Sequence, residues 1–186
     1  MKELSLNILD IAGNSVRAEA TLIEILLEET EETFTFTIRD DGKGMSRELL
    51  ARVTDPFATT RTTRKVGLGI PFLKMEAEQT GGYLTIESRS IEEFPTAHGT
   101  VLTSRFVKTH IDYIPLGDIV ETVCTLVHGM GSIDLLFRHT YLDREVTLST
   151  AEMRLMLGDE LPLSSPDVIE WLRAYLSEGY AELYGN

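Results

Sequence analysis

Arg39-Asp40-Asp41-Gly42-Lys43-Gly44-Met45 is the stretch that decides how the chain is read. Residues 33–39 before it are rich in β-branched and aromatic side chains and read as a strand that ends at Asp40. Two glycines at alternate positions, Gly42 and Gly44, then let the backbone turn and leave room for a flat ligand to lie against it. A carboxylate at that strand end is a hydrogen-bond acceptor aimed at whatever the turn encloses. The ordinary reading is a hairpin or calcium-type turn. The further acidic ligands of an EF-hand are missing, so calcium is not expected.

Upstream, residues 1–17 carry Leu4, Ile8, Ile11 and Ser15 along one side at helical spacing, with Glu3, Asn7, Asp10, Asn14 and Arg17 along another. A polar stripe is usually the wet face of a helix. Here it contains Asp10-Ile11-Ala12-Gly13-Asn14-Ser15, in which Asp10 and Asn14 project from one face a turn apart. The Asn14 amide oxygen is a hard ligand suited to Mg²⁺, and Asp10 can orient or deprotonate a water or hydroxyl. Downstream, Gly67-Leu68-Gly69-Ile70 opens a helix expected over 68–80 and stopped by Gly81-Gly82. Gly67 and Gly69 put backbone N–H groups at a helix N-terminus, an anion-binding arrangement. Arg61, Arg64 and Lys65 lie in the aperiodic 55–66 loop just before it, positioned to contact a triphosphate. The spacing is neither that of a P-loop nor that of a dinucleotide fold. A metal-holding amide, an adenine-reading carboxylate and phosphate-facing glycine turns together predict a Mg-ATP site.

Residues 21–28 pair with 33–39 as an expected hairpin, Ser46 caps a short helix to about 53, and 83–90 and 100–108 read as further strands. Beyond 108 the pattern predicts a helix over 118–128, a hairpin of 133–141 and 145–149, and a short helix from 151 to 157. Ser165-Pro166-Asp167 starts a last helix, expected to end near Ser177 with Gly179 beyond. The sequence thus divides into an ATP-binding domain over 1–107 and a helix-and-hairpin appendage over 108–186, expected to dock a partner, to dimerise or to cover an apolar face of the first domain's sheet.

The 186 residues are 42% hydrophobic and 25% charged, enough for a core. No apolar run suits a membrane span and the first residues form no signal peptide. The single Cys124 rules out an internal disulfide, fits a reducing cytoplasm, and reads as a small buried hydrophobe. A net charge of −13 argues against nucleic acid. Residues 1–107 hold 12 basic and 17 acidic residues and 108–186 hold 5 and 13, so the shorter part is the more acidic (−5 against −8). That face suits a protein partner with a basic surface.

These residues resemble the GHKL ATPase superfamily of gyrase B, heat-shock chaperones, histidine kinases and MutL, over roughly residues 3–107. Asn14-Ser15-Val16-Arg17-Ala18-Glu19-Ala20 is similar to the N box in its MutL-like form, and 39–45 to the first glycine box. Asp55-Pro56-Phe57-Ala58-Thr59-Thr60-Arg61, Gly67-Leu68-Gly69-Ile70 and Gly81-Gly82 look like the phenylalanine box, second glycine box and closing turn of histidine-kinase ATPase domains. The resemblance implies a Bergerat fold: a two-layer α/β sandwich of a mixed sheet and helices, here with the small C-terminal appendage. It implies nucleotide contacts from Asn14, Asp40, Gly42, Gly44, Met45, Phe57, Arg61, Arg64, Lys65, Gly67, Leu68 and Gly69. Asn14 would hold Mg²⁺, and Thr100, in a late Gly-Thr pair, would support Asp40 through water. Asp10 stands where hydrolytic members carry Glu. None of His98, His110, His128 or His139 lies in an acceptor-like His-Glu helix, and the tail does not resemble the transducer of gyrase B or MutL.

The expectation is therefore a stand-alone, cytoplasmic Mg-ATP-binding regulator that phosphorylates or switches a protein partner. A non-hydrolysing nucleotide sensor is the alternative, and a MutL-like DNA-associated ATPase a third.

Overall fold

Strict alternation builds the centre of the molecule. In β1 (Leu22–Glu29) and β2 (Thr33–Asp40) every second side chain is buried, Ile23, Ile25 and Leu27 in one and Phe34, Phe36 and Ile38 in the other. Their antiparallel register sets Leu27 opposite Phe36 and Ile25 opposite Ile38, so both apolar rows face one side. The computed structural model describes residues 3–53, 69–158 and 161–185. Around the hairpin it places α1 (Leu4–Arg17), α2 (Arg47–Val53), α3 (Gly69–Gln79), β3 (Tyr83–Arg89), β4 (Gly99–Val107), α4 (Ile119–Gly129), β5 (Asp134–Tyr141), β6 (Arg144–Ser149), α5 (Thr150–Leu157) and α6 (Pro166–Tyr184).

The strands form one six-stranded mixed sheet in the order β3-β4-β2-β1-β5-β6. β1 to β4 pair antiparallel with their neighbours, whereas β5 runs parallel to β1, with Ile25 opposite Phe137. Parallel pairing needs a crossover, and the connection to β5 carries α4. The β5-β6 hairpin thus continues the sheet of β1 to β4. The buried face carries Phe34, Phe36, Leu102, Phe106, Leu135 and Phe137, with Phe36 and Phe106 stacked at 6.3 Å. The apolar stripes of α1, α4 and α6 supply the helical layer, an α/β two-layer arrangement.

Local signals explain the helix ends. Asp118 caps α4 by accepting from the Glu121 N–H at 2.9 Å, and Ser149 caps α5 by accepting from Glu152 N–H at 3.3 Å. Ser46 accepts from Leu49 N–H at 3.3 Å ahead of α2. The last helix differs from the sequence expectation. It continues through Gly179 to Tyr184, and Gly185, in the left-handed region at φ 72°, ends it. Gly179 is a packing residue: a Cβ there would stand 3.2 Å from both Val146 methyls, so the helix lies close on β6. Ser165 supplies no side-chain cap, and Pro166 alone sets the entry. Cys124 is buried on α4, where burial pushes its thiol up.

At the far end of β1 the fold buries a polar cluster. Fully buried His139 places Nδ1 2.9 Å from the Tyr180 hydroxyl and Nε2 3.3 Å from the Glu29 carboxylate. The Tyr184 hydroxyl donates to Glu29 at 2.7 Å, and the Lys108 ammonium pairs with it too. Burial raises the Glu29 pKa, but these donors outweigh it and hold the carboxyl at about 2 against an ordinary 4.5.

Candidate functional site

Asp40 ends the central strand β2, opposite Thr100 of β4 and Ile23 of β1. Strands on both sides fix its backbone, and two donors fix its side chain. The Ser15 hydroxyl of α1 donates to Oδ2 at 2.6 Å, and the Gly42 N–H donates to Oδ1 at 3.0 Å. A carboxylate offers about four lone-pair positions, so acceptor capacity remains for a ligand. Asp41 has a different task. It accepts from the backbone N–H groups of Thr21 at 2.7 Å and Leu22 at 2.9 Å, tying down the start of β1. Burial pushes its carboxyl up, but those bonds and the Thr21 hydroxyl hold it below the ordinary range.

Beside Asp40 opens a cavity of about 540 Å³, within the size range of small-molecule sites. Its walls are apolar, with Ile38, Met45, Ile70, Ile86 and Leu102 among them, while Asn14, Arg17, Asp40 and Thr100 supply the polar groups. An apolar slot with a carboxylate in its wall suits a flat heterocycle that donates a hydrogen bond. Two glycines make the geometry possible. Gly44 has φ 64°, and a Cβ would stand 1.9 Å from the Arg89 carbonyl oxygen. Gly99 has φ 130°, with its Cβ position 2.1 Å from the Asp40 carbonyl oxygen. Only glycine lets these backbones approach so closely.

Thr100 is held by a relay that the local sequence does not announce. Its hydroxyl lies 2.9 Å from that of Ser88, which accepts from the Met45 N–H at 2.8 Å and donates to the Gly99 carbonyl at 3.1 Å. His98 adds Nδ1 at 2.7 Å from the Gly42 carbonyl oxygen. Ser15, Ser88 and His98 were thus outside the sequence-predicted set. Ser15 adjoins Asn14 on the same helix and was readable as part of that motif. Ser88 and His98 reach the turn by strand pairing and by a loop, for which a single sequence gives no signal.

Asn14 lines the cavity, and its Oδ1 accepts from the Arg17 guanidinium. Its hard oxygen is therefore turned toward a positive charge, as a Mg²⁺ ligand must be. Among the described residues no group of three or more His, Cys, Asp or Glu could hold a metal. A single amide oxygen nonetheless fits Mg²⁺, which commonly keeps waters and phosphate oxygens as its other ligands. Asp10 is exposed and lies against the start of α3, where a Cβ on Gly69 would stand 2.3 Å from its Oδ2. It is not part of the cavity wall. The structure thus gathers Asn14, Asp40, Gly44, Met45 and Thr100 around one cavity, with Gly42 bonded to Asp40 beside it and Asp10 and Gly69 adjoining each other. Phe57, Arg61, Arg64, Lys65, Gly67 and Leu68 lie outside the described residues.

Residues 2–110 match the family described as histidine kinase-, DNA gyrase B-, and HSP90-like ATPase. Curated relatives include an NtrY-like sensor histidine kinase of Rickettsia conorii, 25% identical over 60% of this chain and 18% of the relative. The heme sensor protein HssS of Staphylococcus saprophyticus is 32% identical over 53% of this chain and 21% of its own length. The sensor histidine kinase YvrG of Bacillus subtilis is 29% identical over 53% and 17%. The chain therefore spans about a fifth of the length of these relatives. A crystal structure of the N-terminal domain of a DNA repair protein superposes with TM-score 0.50 at 14% identity, over 80% of this chain and 53% of that one. That likeness concerns the fold alone.

Proposed function

Because the chain belongs to the histidine kinase-, DNA gyrase B-, and HSP90-like ATPase family, we propose that it binds Mg-ATP in the cavity beside Asp40 and uses it to phosphorylate a protein partner or switch its contacts. One observation carries the reading: a carboxylate pinned by Ser15 and Gly42 in the wall of an apolar cavity of about 540 Å³. Asp40 accepts the exocyclic amine of adenine, whose ring lies between Ile38, Met45, Ile86 and Leu102. Thr100 and Ser88 keep the Met45 backbone in place at its edge. Gly69 and the α3 N-terminus offer N–H groups to phosphate, with Gly67 and the cations Arg61, Arg64 and Lys65 assigned to it by sequence.

Mg²⁺, when bound, would neutralise charge on the phosphates. Asn14 would hold it, and Arg17 must release the Asn14 oxygen for that to happen. Asp10, beside Gly69 at the start of α3, would orient an attacking hydroxyl. No helix among the described residues is long and apolar enough to cross a membrane, and a cytoplasmic location is part of this proposal.

The test is calorimetric titration of a non-hydrolysable Mg-ATP analogue into wild type and Asp40→Asn, followed by labelled ATP with candidate partners. Saturable binding lost in the variant supports the site, and transfer of label supports phosphorylation. No heat with wild type overturns the reading. A second reading, a nucleotide sensor without turnover, draws on Asp10 lying outside the cavity wall. Binding with no released phosphate and no labelled protein favours it.

A further inference from the structure

A hollow larger than the cavity beside Asp40 lies away from the candidate nucleotide site. A groove of about 880 Å³ runs over the sheet face opposite the main helical layer, past Leu26 of β1 and Leu136 of β5, to Met156 of α5 and Trp171 of α6. Met153, Met156 and Trp171 also line a second hollow of about 250 Å³ bounded by Leu157, Leu161 and Val168, so the two form one track. Its side chains are left open to an unusual degree for large apolar groups: Met156 is 75% exposed and Trp171 53%, with Trp171 stacked on Tyr175 at 5.4 Å. Apolar side chains gathered in this way mark an interaction surface, and Met adapts to the shape of an incoming helix.

Charge says what covers it. Residues 150–185 carry seven acidic residues (152, 159, 160, 167, 170, 178 and 182) and only Arg154 and Arg173 as bases. Both bases are committed. Arg154 bonds Asp134 and the carbonyls of Gly131 and Ile133, and Arg173 pairs with Glu121. Within the groove Arg39 pairs with Glu24 and Arg138 with Glu145. Glu152 and Asp167, at the track's edge, are exposed. The rim is thus net negative around an apolar floor. A second copy would bring two such rims together, and an anionic lipid surface would meet a chain of charge −13.

We propose that this track is the docking site for an amphipathic, basic helix of a partner protein. The helix lays its apolar face on Met156 and Trp171 and sets Lys or Arg side chains against Glu152 and Asp167. The site stands on its own geometry and does not depend on nucleotide binding.

Trp171 is the only tryptophan of the chain, so its emission reports occupation of the track directly. The probe is a synthetic Leu/Lys helix of about five turns, compared with a Leu/Glu helix of the same pattern and with anionic vesicles. A saturable blue shift is expected with Leu/Lys, at least tenfold tighter than with Leu/Glu, together with protection of Trp171 from acrylamide. Met156→Glu should weaken the affinity at least tenfold and Glu152→Gln with Asp167→Asn several-fold, whereas Glu28→Gln, on the same acidic chain but outside the track, should leave it unchanged. All four positions are exposed, and a circular-dichroism melt of each variant checks folding. Absence of the shift with Leu/Lys, equal weakening by Glu28→Gln, a shift with vesicles, or a dimer in sedimentation that already shields Trp171 each overturns the proposal. Mg-ATP affinity, measured separately, distinguishes its failure from failure of the nucleotide site.

Discussion

Single residues hold the Asp40 turn, and their substitution gives the sharpest outcomes. Ser15→Ala removes one of the two donors that orient Asp40. A net hydrogen bond to a charged group contributes roughly 1.5–3 kcal/mol to stability, so the melting temperature should fall by several degrees, and Mg-ATP affinity should fall about tenfold or more in calorimetry at a temperature where the variant is folded. Gly44→Ala meets a left-handed φ of 64° and the Arg89 carbonyl. The strain alone costs about 1–2 kcal/mol, and nucleotide binding should be lost because the turn must shift. Glu29 tests electrostatics. Its folded pKa, about 2, lies below its ordinary 4.5, so its stabilisation is present above pH 4.5 and disappears as pH falls toward 2. Glu29→Gln should therefore destabilise by about 3 kcal/mol at neutral pH. In urea titrations at successive pH values its difference from wild type should shrink between pH 4.5 and 2. Asp40 and Asn14 were legible in the sequence because short-range motifs carry them. Ser88 was not, since its role depends on which strand lies beside β4.

At the scale of elements, the period of burial made β1, β2, α1 and α4 readable, because each presents one apolar face. The end of α6 was misread for a physical reason. Glycine is a common helix terminator, and only contact with Val146 shows that Gly179 serves close packing. Gly179→Leu should overpack the α6–β6 contact and lower stability by about 1–3 kcal/mol, measured by chemical denaturation, and should leave Mg-ATP affinity unchanged because the contact is remote from Asp40.

For the whole molecule, the C-terminal hairpin completes the sheet by pairing β5 along β1. The backbone N–H groups of Leu4 and Ser5 donate to the carbonyls of Pro115 and Leu116 at 3.0 and 2.8 Å, so the segment leading into α4 holds the start of α1. A fragment of residues 1–107 would expose the β1 edge and the apolar faces of β1 and α1. It should show no cooperative thermal transition and should aggregate, whereas the full chain should melt cooperatively. A cooperative fragment would mean that residues 108–186 are a separable module.

Local pattern and short motifs by themselves determined the strands, most helix starts, the family resemblance and the carboxylate and amide at the candidate site. They act over a few residues, where spacing and side-chain type are sufficient. Tertiary structure alone decided that β5 lies parallel beside β1, that Ser88 supports the Asp40 turn, and that Met156 and Trp171 share an open track. Each of these joins residues far apart in the chain, and the energies that select such pairings arise only once the surfaces meet.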